Sequence, residues 1–168
     1  AIHPFQDGNG RVGRALLALM ISHLLGHASP WLYLSAFFET YKDEYIQKIF
    51  NISTQGDWSS WVEFCLRGVI AQSNDSIRRC GQLNDLRTKF HERIETPSSR
   101  THPLIESLFS APLVTVPKVE KMFGIVYMTA KKDIELLMKY GILQELSNRK
   151  PRTFYCREVM KVAYEENE

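Results

Sequence analysis

The chain has 168 residues, 44% of them hydrophobic and 24% charged, with a formal net charge of +2. That length allows one domain or two small ones with a real core, and the charge balance points to no strongly charged partner. The longest strongly apolar run, Ala15 to Ile21, is far too short to cross a bilayer, and no signal peptide is visible, so a cytoplasmic protein is expected. Cys65, Cys80 and Cys156 lie far apart without metal or redox spacing, which predicts buried, reduced thiols.

The first element is His3-Pro4-Phe5-Gln6-Asp7-Gly8-Asn9-Gly10-Arg11-Val12-Gly13-Arg14, leading into an apolar helix. Helix starts favour acidic side chains, because the free N–H groups and the macrodipole make that end positive. Here Arg11 and Arg14 add positive charge to a positive pole, against a single Asp7. An anion bound at that end resolves the conflict. Gly8, Gly10 and Gly13 let main-chain N–H groups approach a ligand, the general recipe for phosphate binding at a helix start. Arg11 and Arg14 share a helical face, where guanidinium forks grip phosphate oxygens. Asp7 is the kind of hard oxygen ligand that Mg²⁺ uses beside substrate phosphates. His3 has the pKa range suited to proton transfer near neutrality.

Simpler readings exist for the tetrapeptide Asp7-Gly8-Asn9-Gly10, which alone is most often a turn. A calcium loop fails, since Arg11 and Ala18 stand at the fifth and twelfth loop positions. A Walker A loop fails too, because no Gly-Lys-Ser/Thr follows. Phe5 is expected to anchor the loop, and Pro4 to stiffen it.

Residues 11–25 are apolar nearly all round, which predicts a buried central helix with Gly26 at its C-cap. Were those faces exposed, they would favour self-association, so a homo-oligomer is among the expected states. A helix capped by Ser35 is predicted to run to about Thr54. Another starts after Gly56-Asp57, with Trp58, Trp61, Phe64 and Val69 among its apolar stripe. Residues 73–94 read as a more polar connecting helix, and Thr96-Pro97-Ser98-Ser99-Arg100 as a break between domains. The organisation expected is thus 1–96 and 97–168. Helices over 102–109, 116–123 and 128–140, strands over 143–145 and 153–156, and a final helix to about Tyr164 make a small winged helix-turn-helix. Lys131, Lys132, Arg149, Lys150 and Arg152 stand where a DNA reader would use them. Asp133 and Glu135 thin that patch, so protein docking is favoured over DNA.

HPFQDGNGRVGR is similar to the signature of the Fic family, HxFx(D/E)GNGRxxR, complete from His3 to Arg14. The later helices resemble the C-terminal helices of Fic proteins, and the tail resembles the winged-helix module of one bacterial subgroup. The fold implied is mainly α: the C-terminal part of a Fic-type helical core, catalytic motif at 3–14, followed by the winged helix. The chain reads as a fragment of a longer protein, its activity alone uncertain, with no inhibitory (S/T)xxxE(G/N)-type element expected at the C-terminal end.

The activity implied is protein adenylyltransfer, moving AMP from ATP to a Ser, Thr or Tyr hydroxyl of a target protein. By the resemblance His3 is the general base and Asp7 holds Mg²⁺. Gly8, Asn9 and Gly10 form the anion hole, Arg11 contacts the phosphates, and Arg14 grips the γ-phosphate. Tyr45 falls where family aromatics line the adenine pocket, although core packing is the favoured reading of such an aromatic stripe. The alternative is a winged-helix regulator, docking protein or DNA, with a vestigial nucleotide site.

Overall fold

The computed structural model describes residues 4–26, 32–147 and 149–164. Among them the chain is mainly helical, with eight helices and one small sheet: α1 (Asn9–Leu24), α2 (Leu34–Thr40), α3 (Lys42–Gln55), α4 (Trp58–Arg93), α5 (Thr101–Ser110), β1 (Leu113–Thr115), α6 (Val116–Phe123), α7 (Tyr127–Lys139), β2 (Gln144–Leu146), β3 (Thr153–Tyr155) and α8 (Arg157–Tyr164). A mainly α fold with a little β structure is therefore what the sequence folds into. The chain divides into two compact units, Ala1–Ile77 and Arg78–Glu168.

In the first unit an aromatic cluster forms the core: Leu32, Leu34, Phe37, Phe38 and Phe64 are buried, with Leu17, Ile21, Tyr45, Trp61 and Val69 packed around them. Phe64 sits centrally, its ring 5.2 Å from that of Phe37 and 5.7 Å from that of Phe38. Gly68 lets α4 approach α2, since a Cβ there would lie 2.7 Å from Phe37 Cδ1. The single helix expected over 35–54 is broken at Tyr41, where φ −108 and ψ 42 separate α2 from α3. Ser35 is not its cap; Tyr33 occupies the N-cap position, with no side-chain capping bond. Asp57 does start α4 as expected: Ser60 donates its hydroxyl to Oδ2 and its backbone N–H to Oδ1, at 2.5 and 3.1 Å. Those bonds, the hydroxyl's foremost, stabilise the carboxylate and hold its pKa below the ordinary value.

The central helix departs from its apolar pattern. Only Ser22 of α1 is buried, while Leu16, Leu19, Met20 and Leu24 are more than half exposed. The physical reason is that the cluster offers α1 one side only, which Leu17 and Ile21 fill.

In the second unit, helices α5, α6 and α7 surround a core that includes Phe90, Leu104, Leu108, Val119, Ile134 and Leu137. The sheet has three strands in the order β1-β3-β2, both pairings antiparallel, with Val114 opposite Phe154. Strand β1 is an addition to the two strands predicted; three residues before a helix cap are too few to show alternation. Thr115 ends it and caps α6, its side chain accepting from Lys118 N–H at 3.4 Å. The polar segment after Ser73 is no solvated connector along its whole face, because Leu86, Phe90 and Ile94 are buried in this core.

All three cysteines are free, and Cys156 is buried as expected. Cys65 is half-buried, and Cys80 is exposed, contrary to that expectation. Burial pushes the Cys65 and Cys156 thiols up. Among the described residues no helix is long and apolar enough to cross a membrane.

Candidate functional site

The loop before α1 is held by its own side chains. Asn9 clasps Phe5 at both backbone groups: its Oδ1 accepts the Phe5 N–H at 3.0 Å, and its Nδ2 donates to the Phe5 carbonyl at 2.7 Å. Asp7 Oδ1 accepts the Gly8 N–H at 2.6 Å, and Asp7 Oδ2 lies 3.4 Å from Arg11 Nη2. Gly8 turns the chain into the helix at φ 80, ψ 4, a left-handed conformation that a Cβ would strain. Gly10 and Gly13 do not share that conformation; they belong to α1 itself, and a Cβ on Gly10 would stand 3.3 Å from Arg14 Nη1. Only one of the three glycines is thus needed for backbone freedom.

The helix ladder starts with Val12 N–H on Gly8 O, at 3.0 Å. The N–H groups of Asn9, Gly10 and Arg11 lie outside that ladder and make the positive end of α1. No acidic residue stands in the first turn. Arg11 and Arg14, three apart, both line one cavity of about 400 Å³, together with Ala15, Ala18, Tyr33, Leu34, Ser35 and Phe38. Ala15 and Ala18 follow the arginines along α1, and Leu34, Ser35 and Phe38 come from α2. The cavity is cationic at the helix start and apolar further along, a division that suits an anion carrying a ring.

Asp7 is exposed, with 94% of its side-chain surface open, and its Oδ2 is committed only to a long contact with Arg11. An exposed carboxylate of this kind is chemically able to serve Mg²⁺, which keeps most of its waters and binds through one or two carboxylates.

The structure brings Asp7, Gly8, Asn9, Gly10, Arg11 and Arg14 together at one helix end. His3 lies outside the described residues. Tyr45 stands behind the cavity wall, its ring 5.0 Å from Phe38 and 5.7 Å from Trp61, in the aromatic cluster. The sequence reading missed Tyr33, Leu34, Ser35 and Phe38 as lining residues. The four-residue spacing of Leu34 and Phe38 marks a shared helical face, but nothing in it says which helix that face meets.

The Fic/DOC family model matches residues 1–21, a span that takes in the whole motif and most of α1.

Proposed function

We propose that this protein transfers AMP from ATP to a Ser, Thr or Tyr hydroxyl of a target protein. The Fic/DOC match supports a Fic-type transferase in general terms. The observation that carries the finer reading is the pairing of Arg11 and Arg14 on one cavity at the positive end of α1.

Proximity and charge neutralisation supply most of the catalysis in such a displacement. Arg14 and Arg11 grip the polyphosphate, and the N–H groups of Asn9, Gly10 and Arg11, where Gly8 turns the chain into α1, receive charge that builds on the α-phosphate. His3 takes the proton of the target hydroxyl as its oxygen bonds to the α-phosphorus. The bond from that phosphorus to the bridging oxygen breaks, and pyrophosphate leaves. Mg²⁺, held by Asp7, would offset phosphate charge there. In this reading the base lies against the apolar lining of Phe38, Leu34 and Ala18.

Arg14→Ala removes one of the two forks. ATP binding in the presence of Mg²⁺ is expected to weaken at least tenfold in calorimetry, since a charge-assisted bidentate contact contributes roughly 1.5–3 kcal/mol. Unchanged ATP affinity in that variant would reject the assignment.

The C-terminal unit, in the order helix–strand–helix–helix–hairpin, is read as a winged helix that docks a protein partner. Support comes from the start of α7, where Val126, Tyr127 and Met128 are exposed and apolar. A DNA reader needs cations there. One observation speaks for the second reading, a duplex-DNA reader beside a vestigial nucleotide site: Asp133 faces inward onto Arg100 at 2.7 Å and does not burden the outer face of α7. Steep loss of duplex affinity with salt is the mark of that alternative.

A further inference from the structure

The N-cap and first turn of α7 carry three exposed apolar side chains. Val126 and Met128 are more than half open to solvent, and Tyr127 nearly half. The core does not use them; Ala130, Ile134 and Leu137 are what α7 buries there. Met128 and Lys132, four apart, share the exposed face.

The charge around these residues is one-sided once the ion pairs are drawn. Asp133 turns inward, its two oxygens accepting from Arg100 at 2.7 and 3.2 Å. Glu135 lies 3.6 Å from Lys131, and Glu145 accepts from Nε and Nη2 of Arg152, each at 2.6 Å. Lys132, Arg149 and Lys150 are exposed and have no carboxylate partner among the described residues. Arg152 stands in the turn between β2 and β3. Glu145 foremost, then Tyr127 and Glu135 of α7, push its pKa up, so the wing and α7 lie within reach of each other's charge.

A helix that reads DNA sets polar side chains of its first turns against base edges, and three unpaired cations neutralise few phosphates. Tyrosine is a frequent anchor at protein interfaces, and methionine adapts its shape to a partner. The unpaired cations beside them select for negative charge on that partner. We propose that the start of α7 and the wing form one docking surface for an acidic protein segment carrying apolar anchor side chains. This deepens, and rests on, the reading of the C-terminal unit as a protein-docking module.

The test is selection of phage-displayed random peptides on the full chain, followed by fluorescence anisotropy with the enriched peptides as labelled synthetic probes. Enriched sequences are expected to combine aspartate or glutamate with leucine, phenylalanine or tryptophan. Met128→Asp and Lys132→Glu should each weaken their binding by about tenfold or more, as loss of an interface anchor does. Both positions are exposed, and an acid at position 128 suits the positive pole of α7, so the far-UV spectra should match wild type. Enriched peptides that are basic or uncharged, yet lost in both variants, overturn the acidic class and leave the protein-docking reading standing. If the enriched acidic peptides all bind the two folded variants as tightly as wild type, the surface is overturned. No enrichment, whether or not labelled duplex DNA binds instead, overturns the proposal together with the docking reading.

Discussion

Replacing His3 by alanine is expected to lower AMP transfer by roughly 10²–10⁴-fold and leave ATP binding intact. The two effects separate because different groups carry them. In the proposed reaction the phosphates rest on Arg11 and Arg14, which line the cavity, and on the N–H groups at the start of α1, none of which the substitution removes. Only proton removal from the incoming hydroxyl is lost. Quantifying label from α-³²P-ATP on target protein, next to a calorimetric titration with ATP and Mg²⁺, reads both at once. Transfer at the wild-type rate would remove the imidazole from the mechanism. Loss of ATP binding along with transfer would make His3 a binding residue instead. The contrast with Arg14→Ala, where affinity itself falls, is the strongest internal check on the division of labour.

Phe64→Ala should cost the N-terminal unit about 3–5 kcal/mol, the range for emptying a buried aromatic site. Phe64 is 1% exposed and touches Phe37, Phe38 and Trp61, so the neighbours have little freedom to collapse onto the void. The consequence reaches the site, because Phe38 and Leu34 of α2 line the cavity. Loosening α2 should weaken ATP binding along with stability. All three tryptophans, Trp31, Trp58 and Trp61, lie in this unit, so urea unfolding followed by tryptophan fluorescence reports on it alone. A midpoint within error of wild type would show that the aromatic cluster is not what holds α2 and α4 together.

The local geometry of the motif was easier to read from sequence than the packing around it. Arg11 and Arg14 conflict with the helix pole next to them, and a conflict of that kind is visible without a structure. The Gly8 turn and the N-cap at Asp57 are equally local, and both stand as expected. What failed depends on partners far away in the chain. Residues 11–25 carry the pattern of a buried helix, yet the described residues cover one side of α1 only. Asp133 looks like an outward acid in the sequence, but Arg100, thirty-three positions earlier, draws it inward. Strand β1 is three residues long and is defined by its bonds to β3, which no local pattern announces. The break at Tyr41 likewise leaves no mark, because the apolar spacing runs through it unchanged.

The clasp between Asn9 and Phe5 has a bearing on how the protein ages. An asparagine followed by glycine is the dipeptide most prone to deamidation, since the unhindered backbone nitrogen can attack the side-chain amide and form a succinimide. In Asn9-Gly10 both ends of that amide are held by Phe5, and the Gly10 nitrogen is fixed in the first turn of α1. Ring closure requires the clasp to open first. Mass spectrometry of stored samples should find position 9 intact in folded protein and converted to aspartate or isoaspartate after mild denaturation. Equal conversion in both would mean that the loop spends much of its time undone.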